Sequence, residues 1–371
     1  MNKENLQKII ELRHELHKYP ELSMNESGTK RRLMNFINMN TNFAVVDCGR
    51  YFYASRYIEG SHAIAFRADM DALPMNETIE LPYPSVNEGI SHKCGHDGHC
   101  AALCGLALEL SNMKLNRSVY LIFQHAEETG QGASECSSML RERNISEIYA
   151  FHNWSGYPEK SIVIRSGLCQ CTSQGLTVRF KGRSSHASEP EKGINPSFAV
   201  GRFIMGIREL YEKYEGMKVL CTVVNVRVGE KNFGISPGDG EVSLTLRAER
   251  EDDMKSFDDD IRALAMKLAG VHSVNVSFET HDYFPETVSN SECAMKIRSA
   301  ACELGLNVIE MKDAIRASED FGWYMKQIPG AIFYVGNGED YPAIHTSGYD
   351  FNDNILESSV DMFRCIFESN A

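Results

Sequence analysis

The sequence predicts an α/β fold with a central, mostly parallel sheet, and a smaller ferredoxin-like α+β domain inserted into it. Three observations lead there. At 371 residues the chain exceeds what one hydrophobic core usually serves, which favours two domains. Short, wholly apolar runs alternate with helical stretches over residues 1–171 and again over 287–371, as buried parallel strands and their crossover helices do. Between them, in residues 172–286, the strand-like stretches alternate apolar and polar positions, as in a sheet covered on one face.

Residues 5–19 have helical periodicity and stop before Pro20. Asn25 is placed to cap a second helix running to about Met39. Apolar runs at 43–46, 63–66, 119–123 and 148–151 have strand length, with helices expected over 98–112 and 133–143. In the inserted region Leu176-Thr177-Val178-Arg179-Phe180, Val242-Ser243-Leu244-Thr245-Leu246-Arg247 and Val274-Asn275-Val276-Ser277-Phe278 alternate, and helices fill 195–215 and 251–269. A β-α-β-β-α-β order fits this region. A helix over 291–304, a strand over 331–335 and a last helix over 353–369 complete the first domain.

Composition narrows the function. A net charge of -13 excludes nucleic acid and anionic membranes as natural partners, because both need clustered Lys and Arg. The first residues, Met1 to Lys8, have no apolar h-region, so no signal peptide is expected, and no apolar run has the length of a membrane span. Eleven irregularly spaced cysteines point to reduced thiols in a cytoplasm. Cys104 and Cys302 are taken as examples of small buried hydrophobes.

Lys93-Cys94-Gly95-His96-Asp97-Gly98-His99-Cys100 packs a thiol, imidazoles and a carboxylate, the donor types of borderline divalent metals, into one short loop. Other such residues follow expected strands: Asp69 and Asp71 after 63–66, Glu127 and Glu128 after 119–123, His152 after 148–151, and His345 after 331–335. In open α/β sheets ligands bind outside the carboxyl ends of the strands, so these loops converge on one edge. Singly, each has a plain reading. His152 is a hydrogen-bonded structural residue, the Glu pair a solvated helix start, and Cys94 an inert thiol. Their conjunction favours a site. His14 and His17 are three residues apart, not four as in the helical zinc-protease motif, and read as surface or packing residues.

These motifs resemble the metal-dependent amidohydrolases of the aminoacylase, hippurate hydrolase and auxin-conjugate hydrolase type, relatives of zinc carboxypeptidases. The matching stretches are Arg13-His14-Glu15-Leu16-His17 with Pro20-Glu21-Leu22, Arg67-Ala68-Asp69-Met70-Asp71-Ala72-Leu73-Pro74, Cys94-Gly95-His96-Asp97-Gly98-His99, Phe123-Gln124-His125-Ala126-Glu127-Glu128, Ser185-His186-Ala187, Ser318-Glu319-Asp320-Phe321 and His345-Thr346, in the family's order. The resemblance implies two divalent ions, Mn or Zn first and Co or Ni next, held by Cys94, His96, Glu128, His152 and His345. It makes Glu127 the general base, Asp71 a residue that orients the site, and the inserted region a lid and dimerisation domain carrying His186 to the substrate. The implied reaction is cleavage of the amide of an N-acyl amino acid or small peptide-like amide by a metal-activated water, in a cytoplasmic homodimer.

The resemblance also offers Asn232 as a substrate contact, and Arg247, on an expected strand, is either a partner for a substrate carboxylate or an ordinary surface arginine. Three features depart from the family pattern. His125 replaces a usual Pro, the lid motif Asn232-Phe233-Gly234-Ile235-Ser236-Pro237 is longer between Asn and Pro, and Ser155-Gly156-Tyr157 follows Trp154. Two other readings stay open on sequence: Cys94 as a nucleophile paired with His96 or His99, and a metal-binding protein without catalysis.

Overall fold

The computed structural model describes residues 1–214 and 216–369. Position 215, the end of the helix expected over 195–215, lies outside the described residues. The chain divides into two compact units. One comprises residues 1–169, 287–314 and those from 319 on; the other comprises 170–286 with 315–318.

The first unit is built on an eight-stranded sheet in the order Ala44–Asp47, Phe52–Arg56, Ser118–Gln124, Ala63–Asp69, Ile145–Trp154, Gly330–Gly336, Ile162–Ile164, Val308–Glu310. The four middle strands, Ser118–Gln124 to Gly330–Gly336, are parallel. Every residue of Ala63–Asp69, Ser118–Gln124 and Gly330–Gly336 is buried, hence the unbroken apolar runs in the sequence. Antiparallel pairings occur towards the two edges, and Val308–Glu310 lies parallel to Ile162–Ile164. The predicted mostly parallel sheet is therefore present. The strands Ile162–Ile164 and Val308–Glu310 were not foreseen; at three residues each they are too short to show a period.

The helix His96–Ser111 leaves only Glu109 and Ser111 outside the buried class. It packs against Lys3–Lys18, Leu356–Glu368 and the strand Ala63–Asp69, so it needs no polar stripe. Gly98 permits one of these contacts, because a Cβ there would lie 2.3 Å from the Phe351 ring.

Several local expectations are corrected. The helix Ser27–Asn40 is not capped by Asn25, whose amide donates to the Ser23 carbonyl at 3.2 Å. The single helix expected over 133–143 is two, Gly132–Cys136 and Ser138–Glu142. At their junction the Ser137 hydroxyl donates to the Ser134 carbonyl at 3.0 Å, the local bonding by which serine competes with a helix. The last helix begins as a 3-10 turn, Asp353–Ile355. The eleven cysteines are free thiols; Cys104 is buried as expected, but Cys302 is exposed. On its helix, Ser291–Glu303, the buried face is formed by Cys293, Ala294, Ile297, Ala300 and Ala301.

The second unit has four antiparallel strands in the order Leu220–Val228, Asp239–Ala248, Thr172–Lys181, Asn275–Phe284, with the helices Ser197–Lys213 and Glu251–His272. This is the β-α-β-β-α-β arrangement expected. Leu220–Val228 was not foreseen: Val224-Asn225-Val226-Arg227-Val228 alternates as a strand does, but the bulge between Val223 and Asn225 breaks the pattern before it, and the strand is a largely exposed edge. Val242, Leu244 and Leu246 alternate in and out as predicted and meet Leu176, Val178 and Phe180 in the core. Phe203 closes that core edge-to-face on Phe180, with ring centroids 5.4 Å apart. Among the described residues no helix is long and apolar enough to cross a membrane.

Truncating Phe203 to Ala should lower unfolding free energy by about 3–5 kcal/mol through lost burial and a residual cavity. Denaturant titration should find a lower midpoint with an unchanged slope; an unmoved midpoint would contradict this packing.

Candidate metal centre

The carboxyl ends of the central strands lie level: Asp69 is opposite Gln124, and His152 opposite Tyr334. His152 lies inside its strand, Ile145–Trp154, and not just beyond it as the sequence reading had it. The strand continues through His152-Asn153 because it stays paired there with Tyr334-Val335 of the neighbouring strand.

After Ser118–Gln124 the backbone turns through Ala126 in the left-handed region, at φ 47°. Two carboxylates hold this turn. Glu26 Oε1 accepts the Ala126 N–H at 2.7 Å, and Asp71 Oδ2 accepts the Glu128 N–H at 2.9 Å and the Ser23 hydroxyl at 2.7 Å. The Cys94–His96 turn needs Gly95, which has φ 101° and approaches Asn153 so closely that a Cβ would lie 2.3 Å from Asn153 Oδ1. The Asn153 amide donates to the Cys94 carbonyl at 3.1 Å and to the Tyr349 hydroxyl at 2.7 Å.

These turns bring the sequence-predicted donors together. Cys94 Sγ lies 3.4 Å from His152 Nε2 and 3.3 Å from His345 Nε2. Glu128 Oε1 lies 3.5 Å from His345 Nε2 and 3.8 Å from His96 Nε2. Cys94 with His96 and His152, and Cys94 with Glu128 and His345, form groups able to hold a metal ion, with donor atoms within 4.8 Å of one another.

Hydrogen bonding fixes which imidazole nitrogen faces the cluster. His96 Nδ1 donates to the Asp71 backbone carbonyl at 2.9 Å, and His152 Nδ1 to the Asn153 carbonyl at 2.7 Å. A carbonyl only accepts, so Nδ1 carries a proton and Nε2 is the nitrogen turned inward, where a metal would displace any proton it holds. His96 Nε2 and Glu128 Oε1 are buried and have no hydrogen-bond partner among the described residues. Such orphaned atoms cost about 1–3 kcal/mol each, and a cation between them would satisfy both.

The charges agree. Burial opposes a proton on His96, yet Asp69, Asp71 and Glu128 outweigh it and raise its pKa to about 10. Burial, with Glu319, Glu128 and Asp320, pushes the Glu127 carboxyl well above the carboxylate range against the pull of Arg67. Burial, with Glu128, Glu127 and Asp69, raises the Cys94 thiol. The pocket thus draws positive charge to itself, and divalent cations would relieve the same repulsion.

Other residues of the motif are committed to support. His99 bonds Asp69 Oδ1 at 2.6 Å and Asn153 Oδ1 at 2.7 Å, leaving neither nitrogen for an ion. Of the two readings left open for His17, surface or packing, the structure gives packing. His17 is buried, with Nδ1 2.9 Å from Asp97 and Nε2 2.8 Å from Glu77, whereas His14 is partly exposed beside Asp353. His125 is buried 3.2 Å from Glu135, outside the donor groups described above.

Three candidates belong to the second unit. His186 is exposed on the short strand Ser185–His186, opposite Ile235, and its Nδ1 is 2.6 Å from the Ser188 hydroxyl. Asn232 is exposed just before that partner strand, its side chain accepting the Gly234 N–H at 2.9 Å. Arg247 Nη1 donates to the Ser318 hydroxyl at 2.9 Å and the Arg316 carbonyl at 3.0 Å. Sequence reasoning missed Arg67, Glu26 and Asn153 as individual contributors. Arg67 did leave a signal, a charged residue in a strand otherwise apolar enough to be fully buried.

The profile of peptidase family M20/M25/M40 matches residues 65–369. The chain belongs to that family. This M20 hydrolase is 26% identical over 342 residues to N-acetylcysteine deacetylase of Bacillus subtilis, with 90% of this chain and 89% of the relative covered. It is 26% identical over 362 residues to hippurate hydrolase of Campylobacter jejuni, covering 95% and 94%. A solved Bacillus subtilis structure, described as a dinuclear metal-binding peptidase of the M20 family, shares its fold with a TM-score of 0.82 at 24% identity, covering 99% of this chain and 98% of that one.

The loop's support makes a pH prediction. Burial alone would lower the pKa of His17, but Asp97 and Glu77 raise it to about 9, above the 6.5 of a free imidazole. A folded-state pKa above the unfolded one gives stability that is complete below about 6.5 and lost as pH rises through about 9. The stability gap between the M20 hydrolase and its His17→Gln variant should be a few kcal/mol at pH 6 and shrink between pH 7 and 9. A pH-independent gap in denaturant melts would mean a neutral His17.

Proposed function

We propose that this M20 hydrolase cleaves the amide bond of N-acyl amino acids or small peptide-like amides, with two divalent ions held by Cys94, His96, Glu128, His152 and His345. The observation that carries the reading is the inward-facing cluster in which His96 Nε2 and Glu128 Oε1 are buried without partners among the described residues. The names of the relatives, a deacetylase of N-acetylcysteine and a hydrolase of hippurate, support the substrate class. Mixed sulfur, nitrogen and oxygen donors suit Zn or Mn, then Co or Ni. When bound, the ions supply Lewis-acid polarisation of a carbonyl and acidify water towards neutrality.

The protein's own groups do the rest. Glu127 takes a proton from the attacking water as the carbon–oxygen bond forms, and returns it to the leaving amine as the carbon–nitrogen bond breaks. Its buried place beside Glu128 and Arg67 favours a carboxyl that can hold and release a proton. Asp71 orients His96 and the Glu128 turn through its backbone carbonyl and its carboxylate. The second unit acts as lid and dimerisation domain of a cytoplasmic homodimer; His186 stabilises the oxyanion, and Asn232 and Arg247 contact substrate. A thiol nucleophile fits poorly, since burial and neighbouring carboxylates raise the Cys94 pKa and so remove thiolate.

Chelation should abolish hydrolysis of an N-acyl amino acid panel, and Mn²⁺ or Zn²⁺ should restore it; activity indifferent to chelators would overturn the metal reading. Glu127→Gln should retain metal by elemental analysis while turnover falls by about 10²–10⁴-fold. Full activity in that variant would remove Glu127 from the base role.

A further inference from the structure

Lys93 is completely buried, an uncommon place for a lysine. Its ammonium bonds Glu77 Oε1 and donates to the Tyr349 backbone carbonyl at 2.7 Å. Its own carbonyl accepts the His345 N–H at 2.7 Å. The Lys93 main chain, adjacent in sequence to Cys94, thus holds the His345 end of the loop, and its ammonium holds the Tyr349 end and ties it to Glu77; the second hold is the one that depends on lysine.

His345 needs such a grip. Its side chain is 49% exposed, against none or little for the other proposed donors, and its backbone is in the left-handed region at φ 59°, which a residue with a Cβ disfavours. A donor on an exposed, strained turn loses affinity through the entropy of ordering it, unless the turn is held in advance. Glu77 is itself fixed, accepting the Ser85 N–H at 3.1 Å and lying 2.8 Å from His17 Nε2. His17 reaches Asp97, next to His96, at 2.9 Å.

We infer that Lys93 is a positioning residue which holds His345 against Cys94 and Glu128, so that its loss selectively weakens the ion that His345 helps to bind. The inference rests on the two-ion reading above. Lys93 touches neither ion nor substrate; it acts through the His345 turn.

The test compares the full-length protein with Lys93→Met, His345→Ala and the double variant, by metal stoichiometry and Mn²⁺ or Zn²⁺ titration. Lys93→Met should keep one ion tightly, bind the second at least tenfold more weakly, and recover kcat with excess metal at an unchanged KM. The double variant should be no worse than His345→Ala, because residues acting through one another are not additive. Two ions held at wild-type affinity in Lys93→Met, with only the unfolding midpoint lowered, would overturn the inference; so would full additivity. If Lys93→Met does not fold, Lys93→Arg, which keeps the charge but moves the donor atoms, gives the same readout: weaker binding of the second ion supports the inference, and unchanged affinity overturns it. Failure of the underlying reading looks different, since the unmutated protein would then bind no ions or ignore chelators.

Discussion

The acidic end of the central sheet depends on one buried guanidinium. Arg67 donates to Gln124 at 2.8 Å, Asp69 at 2.7 Å, Glu319 at 2.9 Å and Asp320 at 2.7 Å, and all of these groups are buried. Asp320 also accepts from Gln124 and, at 2.8 Å, from the Ala133 N–H. Two adjacent strands and a segment some 250 residues later are locked by these bonds. Leaving such charges unpaired costs about 3–5 kcal/mol, so the arrangement is stable only as a whole.

Arg67 does not neutralise the neighbourhood. Asp69, Asp71, Glu127, Glu128, Glu319 and Asp320 crowd the same strand ends, and the imbalance shows as raised pKa values on Glu127 and His96. A fold can carry such an imbalance where a further cation completes it. Guanidinium and proposed ions divide the work by position, with Arg67 neutralising the side towards Glu319-Asp320 and the ions the side towards Cys94.

Much of this was legible in the sequence for a physical reason. The buried parallel strands hold wholly apolar runs, so a polar residue just beyond a run, such as Asp71, Glu127 or Glu128, reads as a break in pattern at a strand's carboxyl end. The donors share chemical type and spacing, which exposes them without coordinates. Less legible were contacts in which a side chain serves a distant backbone atom. Glu26 looks like any carboxylate at a helix start, yet it holds the Ala126 turn 100 residues on. His17 could be placed only as surface or packing, because its helix pattern does not show that Asp97 and Glu77 close over it. The three-residue strands are too short to carry a period, and in Leu220–Val228 the alternation is confined to Val224–Val228, beyond a bulge and on an exposed edge.

The donors are unevenly spread along the chain. Cys94, His96, Glu128 and His152 all lie in the first 152 residues, whereas His345 follows after the whole second unit. During synthesis, at about 5–20 residues per second, a nascent chain would expose four donors for on the order of ten seconds or more before the fifth emerges. Over that interval the proposed cluster would offer one thiol, two imidazoles and one carboxylate without its fifth donor. Arrival of the C-terminal segment then supplies the remaining donor and the helix Leu356–Glu368 that packs on His96–Ser111. If the five donors hold the ions as proposed, metallation would depend on timing as well as affinity, since the site is complete only once His345 has emerged.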